Sequence, residues 1–163
     1  MIKLPEGVRE ASFSKEKLMK LWAKVKDFDK IYSDWDRCDE MSFYNRILDP
    51  NTHVLEMDNG ILIIDNIYPN IRGQVHAIFW DGRLSNKTDK LKKCIVWAFH
   101  HFRLERMEAI IPEFSRALRR FITEKLHFTF EGRLRKRMLY KGEYTDSLIF
   151  SLIREEILQW EVL

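Results

Sequence analysis

Two side chains in this sequence can move a proton and sit among apolar neighbours: His76, within Gln74–Asp81, and Glu108, within Arg106–Ile111. An imidazole or carboxylate so placed either accepts a proton from a reacting group or is simply packed. Arg116, Arg119 and Arg120 could bind phosphates or a carboxylate. The alternative is a solvated helix face opposite the Phe114, Leu118 and Phe121 stripe. Other chemistries are excluded. His100 and His101 are adjacent, so they point to different helix faces and cannot make an i, i+4 metal pair. Cys38 and Cys94 lie far apart in no ligand-like spacing and read as reduced thiols of a cytoplasmic protein. There is no Ser/His/Asp set, Walker loop or zinc spacing, and no metal is expected.

Charge is divided unevenly along the 163 residues, although the formal net charge is only +3. Residues 27–65 hold ten Asp/Glu against three Lys/Arg, and residues 114–142 hold nine Lys/Arg against two Glu. Either opposite surfaces meet in the fold, or a basic site for phosphates faces an acidic site for a cation or partner. The basic run Arg133–Arg137 alternates along a predicted strand, which splits its charge between two faces and argues against nucleic acid.

These residues need elements to hold them. The chain is 45% hydrophobic with six Gly and four Pro, which excludes disorder and collagen-like sequence. No apolar run approaches the roughly 18 residues of a membrane helix, and MIKLPEGVRE does not read as a signal peptide. A single cytoplasmic domain spanning 1–163 is expected. Ser14 is a plausible N-cap for a helix carrying Leu18, Leu21, Trp22, Val25 and Phe28. Residues 29–52, with Tyr32, Trp35, Phe43 and Tyr44, predict a second short helix and a loop. His53–Met57 and Ile61–Tyr68 flank Asp58-Asn59-Gly60, a strong hairpin signal. Gln74–Asp81 follows as a third strand after the turn at Pro69-Asn70 and Gly73. From Thr88, the residues Leu91, Cys94, Ile95, Ala98, Phe99 and Phe102 mark a helix. Arg106–Ile111 is a strand ended by Pro112. Phe114 to Leu126 is a helix, and His127–Ile153 is a strand pair turning at Lys141-Gly142-Glu143. Helices packed on a mixed sheet, an α/β or α+β fold, follow from that order.

The stretch Lys90–Glu156 resembles the C-terminal half of the GNAT N-acetyltransferases, closest to the branch acting on ribosomal-protein N-termini. The matching residues are Ala98-Phe99, Leu104, Arg106, Glu108-Ala109, Glu124-Lys125-Leu126, Phe128, Glu131-Gly132, Leu134-Arg135, Gly142, Asp146 and Ser151-Leu152-Ile153-Arg154-Glu155. The resemblance implies an α/β fold, a twisted and mostly antiparallel mixed sheet flanked by helices, with acetyl-CoA in a cleft where the central strands splay. It implies a transfer of the acetyl group to an amine, either a protein N-terminus or a small molecule.

On that resemblance, His76 and Glu108 would lie on cleft-lining strands, which makes them the general-base candidates. The cofactor would contact Phe79 and Trp80 at the end of the third strand, then Gly82, Arg83, Ser85, Asn86 and Lys87 in the loop opening the next helix. Arg119 joins this set from the later helix. Arg83 and Lys87 could add charge toward phosphates; the alternative is an ordinary helix start capped by Ser85, Asn86 or Thr88. Three departures stand out. The loop has one Gly where the family has several. Arg116 and Arg119 stand where relatives carry Asn and Ser. His127 replaces the Gly of the family's EKLGF. A second reading follows, a GNAT fold without catalysis that serves as a binding or structural module, for example in a phage particle or other assembly. The long Arg116 and Arg119 side chains would then block the cofactor's path, and the chain would form a homo-oligomer or protein complex. Tyr144 and Asp146 match the family's hairpin, where the Asp is structural.

Overall fold

The computed structural model describes residues 2–26, 39–81 and 84–160. The expected residues Phe28, Tyr32, Trp35, Cys38, Gly82 and Arg83 lie outside them. The elements run β1 (Arg9–Glu10), α1 (Lys15–Val25), α2 (Glu40–Ile47), β2 (His53–Met57), β3 (Gly60–Tyr68), β4 (Arg72–Phe79), α3 (Thr88–His101), β5 (Arg106–Pro112), α4 (Arg116–Glu124), β6 (Thr129–Tyr140), β7 (Glu143–Ile153) and α5 (Arg154–Ile157). The strands form one seven-stranded sheet, ordered β1-β2-β3-β4-β5-β7-β6. Every neighbouring pair is antiparallel except β4 with β5.

Strand alternation sends successive side chains to opposite faces and builds two cores. On the first face Leu62, Ile64, Phe79, Met107, Ala109, Phe150 and Leu152 pack with α3 (Leu91, Ile95, Phe99) and α4 (Ile122). On the second face Val54, Ile61, Ile63 and Ile78 pack with Leu18, Leu21 and Val25 of α1 and Phe43 and Ile47 of α2. The first helix of the second face starts at Ser14 as its sequence predicts, and the second starts at Asp39. Ser14 Oγ accepts the Lys17 N–H at 3.2 Å, and Asp39 Oδ1 accepts the Ser42 N–H at 2.8 Å.

The β2–β3 hairpin differs in detail from the sequence expectation. Met57 pairs with Gly60, so Asp58-Asn59 make the turn and Gly60 is already in the strand. Asn59 takes the left-handed conformation, with φ 59°. Gly60 serves close approach instead: a Cβ there would overlap the Phe79 ring and press to 2.7 Å on the Ile78 carbonyl. The third strand is Arg72–Phe79 rather than Gln74–Asp81, and the short β1 and α5 carry no signal of their own length. The fifth strand runs through Pro112 instead of stopping before it. Glu113 N–H donates across to Asp146 of β7 at 3.0 Å, so Pro112 turns its ring nitrogen the other way, where no ladder N–H is required.

The edge strand β6 is irregular. Its register against β7 shifts between Phe130 and Gly132 and again between Leu134 and Met138, and Lys136 has φ 50°. The simple alternation expected of Arg133–Arg137 is therefore broken. Asp146 anchors the irregularity, its Oδ1 accepting the Lys136 N–H at 2.8 Å. His127, standing where the family motif has Gly, sits at φ 53°.

Replacing Gly60 by Ala tests the hairpin packing. The added methyl must displace the buried Phe79 ring or the β4 backbone, and such overpacking costs about 1–3 kcal/mol. Urea denaturation of G60A and wild type measures it; a difference below about 0.5 kcal/mol contradicts the stated contact.

Candidate functional site

The parallel strands β4 and β5 pair only at Arg72–Arg106, Gly73–Met107 and Gln74–Glu108. Beyond Gln74 they diverge. Trp80 N–H donates back to Asn59 of the β2–β3 turn at 3.0 Å, and alternation then turns the backbone groups of Val75, Ala77 and Phe79 toward β5, into the opening. Opposite them, Pro112 brings no N–H. The splay opens into a cavity of about 80 Å³, walled by Val75, His76, Ala77, Ala109, Ile111 and Met138 and roofed by Leu84 and Leu91 and by Leu118, Phe121 and Ile122 of α4. Its walls are mostly apolar, and it narrows toward the point where β4 and β5 meet.

The second face of the sheet carries polar groups at that same point. Asp65 of β3 is buried, its side chain 3% exposed, and His76 beside it is 11% exposed. His76 Nε2 lies 3.2 Å from Asp65 Oδ1. Arg46, from the last turn of α2, donates its Nε–H to Asp65 Oδ2 at 2.5 Å and places Nη2 2.9 Å from the same His76 Nε2. Burial by itself pushes the Asp65 carboxyl up; its hydrogen bond and charge contact with His76, joined by Arg46, outweigh that and hold it below the usual range.

One register step away, Glu108 receives Arg106 Nε–H on Oε1 at 2.8 Å and faces Arg72 Nη1 from Oε2 at 3.5 Å. Arg106 also binds Glu131 of β6, donating its Nη1–H to Oε1 at 2.7 Å, while Ser151 Oγ–H donates to the same oxygen at 2.6 Å. Gln74 lies between these two groups in register. Its Oε1 accepts from Asn66 Nδ2 at 3.0 Å, and its buried Nε2 has no partner.

The sequence candidates are thus partly gathered. His76 is in the cavity wall, and Glu108 shares the second face with it, on the far side of Gln74. Phe79 is buried in the first-face core with Lys87 Nζ 4.8 Å from its ring centre. Trp80 packs on the second face under Lys24. Lys87 is committed to Asp81 at 2.6 Å, and with Asn86 it lines a separate depression against Asp58 and Asn59. The residues Ser85–Lys87 form a 3-10 turn leading into α3, whose N-cap position is Lys87 rather than Ser85, Asn86 or Thr88, with no side-chain cap hydrogen bond there. On α4 the cavity-lining positions are Leu118, Phe121 and Ile122. Arg119 is half-buried beside them, Arg116 is exposed and Arg120 pairs with Glu124 at 3.2 Å, so neither Arg116 nor Arg119 blocks the cavity. Cys94 is buried in the core, which pushes its thiol up to about 12 and leaves it unreactive. Among the described residues no three His, Cys, Asp or Glu converge as metal ligands, and no helix is long and apolar enough to cross a membrane.

No protein-family model matches the sequence, and no curated protein does. Solved structures do. A ribosomal L7/L12 alpha-N-protein acetyltransferase, RimL, in complex with coenzyme A superposes with TM-score 0.70 at 14% identity, covering 93% of this chain and 97% of its own. Spermidine N-acetyltransferase from Vibrio cholerae, in complex with CoA and spermine, gives TM-score 0.70 at 16% identity over 94% and 99%. The Salmonella typhimurium acetyltransferase that modifies the N-terminal serine of L7/L12 gives 0.69 at 15% over 93% and 98%. The chain has the GNAT acetyltransferase fold. The splay between β4 and β5 is where that resemblance implied a cleft, and the GNAT sheet order holds across both halves of the chain, including the N-terminal half that offered few motif residues.

Sequence reasoning missed Asp65, Arg46 and Gln74. Asp65 ends the run Ile61–Ile64, an available signal, because a carboxylate inside a buried strand needs a partner. Arg46 could not be matched to it, since their sequence separation reflects the packing of α2 on the sheet.

The Glu131 network yields a pH prediction. Hydrogen bonds from Arg106 and then Ser151 bring the Glu131 carboxyl from its ordinary 4.5 down to about 2. A lowered carboxyl stabilises the fold above its unfolded value, so this contribution is complete above about pH 4.5 and disappears as pH falls toward 2. Glu131 is partly exposed, so the loss is about 1 kcal/mol or less. Urea melts of Glu131→Gln between pH 2 and 7 should show a flatter acid slope than wild type; identical slopes contradict the network. Asp65 and Glu56 titrate in the same direction and supply the slope that remains.

Proposed function

We propose that this chain transfers an acetyl group from acetyl-CoA to a primary amine, a protein N-terminus or a small amine. One observation carries the reading: the open inner edge of β4, with the backbone groups of Val75, Ala77 and Phe79 turned into an apolar slot on a GNAT sheet. An extended arm bearing amides can pair with such an edge as a strand would, satisfying groups that otherwise have no ladder partner. The two classes of acetyltransferase that share this fold act, by their descriptions, on a protein N-terminus and on spermidine.

Acetyl-CoA supplies an activated thioester when bound. The chain's own residues then have three tasks. Val75, Ala77 and Phe79 orient the arm, so that the reacting carbonyl lies near the meeting point of the strands. The start of α3, which has no side-chain cap, offers backbone N–H groups to phosphate, with Arg119 of α4 as added charge. His76, in the cavity wall, takes the proton that the amine loses as its nitrogen bonds to the acetyl carbon; the carbon–sulfur bond breaks in exchange, and coenzyme A leaves as the thiolate, to be protonated by solvent. Both Glu108 oxygens are already engaged by guanidinium groups, which makes His76 the better base. The apolar walls exclude water that would otherwise hydrolyse the thioester.

The non-catalytic reading keeps one observation of its own: Lys87 is bound to Asp81 rather than free for phosphate. In that reading the chain is a binding or structural module, alone or in a complex.

Acetyl-CoA titration separates the two. At 100 times Kd the ligand should stabilise the fold by about 2.7 kcal/mol, seen as a rise of several degrees in Tm. Ala109→Leu fills the slot from the β5 side and should remove most of that rise. Transfer is read as free thiol released in the presence of an amine panel. No Tm change at millimolar acetyl-CoA overturns the transferase reading.

A further inference from the structure

We infer that Asp65 and Arg46 act together as positioning residues for His76, Asp65 fixing its ring as the Nε2–H tautomer and Arg46 tempering the pull of that carboxylate, so that Nδ1 is the proton acceptor. The inference deepens the transferase reading and rests on it for the role of His76, but not for the tautomer.

Two groups compete for one atom. His76 Nε2 stands 3.2 Å from a carboxylate oxygen, which can only accept, and 2.9 Å from an Arg46 nitrogen, which can only donate. A neutral imidazole satisfies one of them. If Nε2 carries the hydrogen it donates to Asp65, and Nδ1 keeps a lone pair. If Nε2 accepts from Arg46, the hydrogen moves to Nδ1 and the base is lost. Arg46 has a second outlet, since its Nε–H and Nη2 both reach Asp65 Oδ2. Among the described residues Asp65 Oδ1 meets His76, while Arg46 is on Oδ2, and Asp65 is buried, so leaving Oδ1 unpaired is the costlier choice. That balance selects Nε2–H. The ring's other nitrogen has no partner among the described residues.

The same arrangement suits proton uptake. When Nδ1 gains a proton, the Nε2–H bond to Asp65 becomes charge-assisted. Arg46, a fixed cation at 2.9 Å, opposes the new charge and keeps the proton from being held too tightly. Other charged groups on this face include Glu108 and Arg106 of β5, Arg72 of β4, Glu131 of β6, Glu56 of β2, and Lys17 and Lys24 of α1. Glu108 and Arg72 are mutually engaged, and Lys24 lies over Trp80.

The tautomer can be read without any substrate. Long-range proton–nitrogen spectra of the histidine-labelled full chain at pH 8, with the His76 signal assigned by its loss in His76→Gln, should show Nε2–H in wild type. Nδ1–H in wild type overturns the inference. Asp65→Asn should switch the signal toward Nδ1–H, lower kcat at least tenfold and leave KM for acetyl-CoA unchanged. Arg46→Gln should keep Nε2–H. The acid limb of the kcat/KM profile should move to lower pH in D65N and to higher pH in R46Q. Shifts in one direction for both variants, or none, overturn the inference in an active enzyme. If D65N does not fold, the wild-type spectrum and the R46Q profile decide. An Nε2–H signal in a protein that transfers acetyl to no amine upholds the tautomer assignment and overturns the transferase reading instead.

Discussion

The structure turns on a failure of pairing. Two adjacent parallel strands hold together for three residue pairs and then part, although each remains fully bonded to its other neighbour. Unpaired backbone groups inside a protein are costly, so a sheet left open in this way must be held open by everything around it. Here α3 and α4 wedge the first face with Leu91, Phe121 and Ile122, and Pro112 removes one donor that the gap would otherwise strand. The apolar slot, the polar cluster at its apex and the GNAT-like order of the strands all follow from that one separation.

What surrounds the apex is a sheet with two different faces. The first is a continuous apolar core. The second changes from apolar under α1 and α2 to charged under the β4–β5 junction, where Asp65, His76, Gln74, Glu108, Arg106 and Glu131 follow one another across strands. Charges this close to a core persist only with partners, and each carboxylate here has at least one guanidinium. Gln74 is the exception, with a buried amide nitrogen that no group satisfies. The candidate site thus lies where local stability is least optimised, a common relation between a site and its scaffold.

Much of the scaffold was legible in the sequence because its signals are local. Ser14 capped α1, Asn59-Gly60 announced a hairpin, and the period change at Thr88 marked α3. The reasons were sometimes different from the signal: Gly60 is required by Phe79, a residue nineteen positions away, and not by the turn. The site was less legible because it is assembled across elements. His76 could be nominated from its strand alone, but Asp65 and Arg46 become its partners only once β3 lies beside β4 and α2 packs above them. The lining of the cavity by α4 was hidden for a related reason. Arg116 and Arg119 stand where the family carries Asn and Ser, but the helix turns Leu118, Phe121 and Ile122 to the cavity, which the sequence stripe alone did not assign to it.

The irregular outer strand has a consequence for how copies of this chain meet at high concentration. β6 ends the sheet, and a straight edge of twelve residues would invite another molecule to add its own strand. Two register shifts break that edge into short pieces, and Asp146 of the neighbouring β7 holds the irregularity by accepting the Lys136 N–H. Arg133, Arg135, Lys136 and Arg137 crowd the same stretch with like charge, so two such edges repel before they can align. The strand that closes the sheet is in this way insulated against templated growth, a safeguard against fibrous aggregation built into a strand whose one buried side chain is Met138.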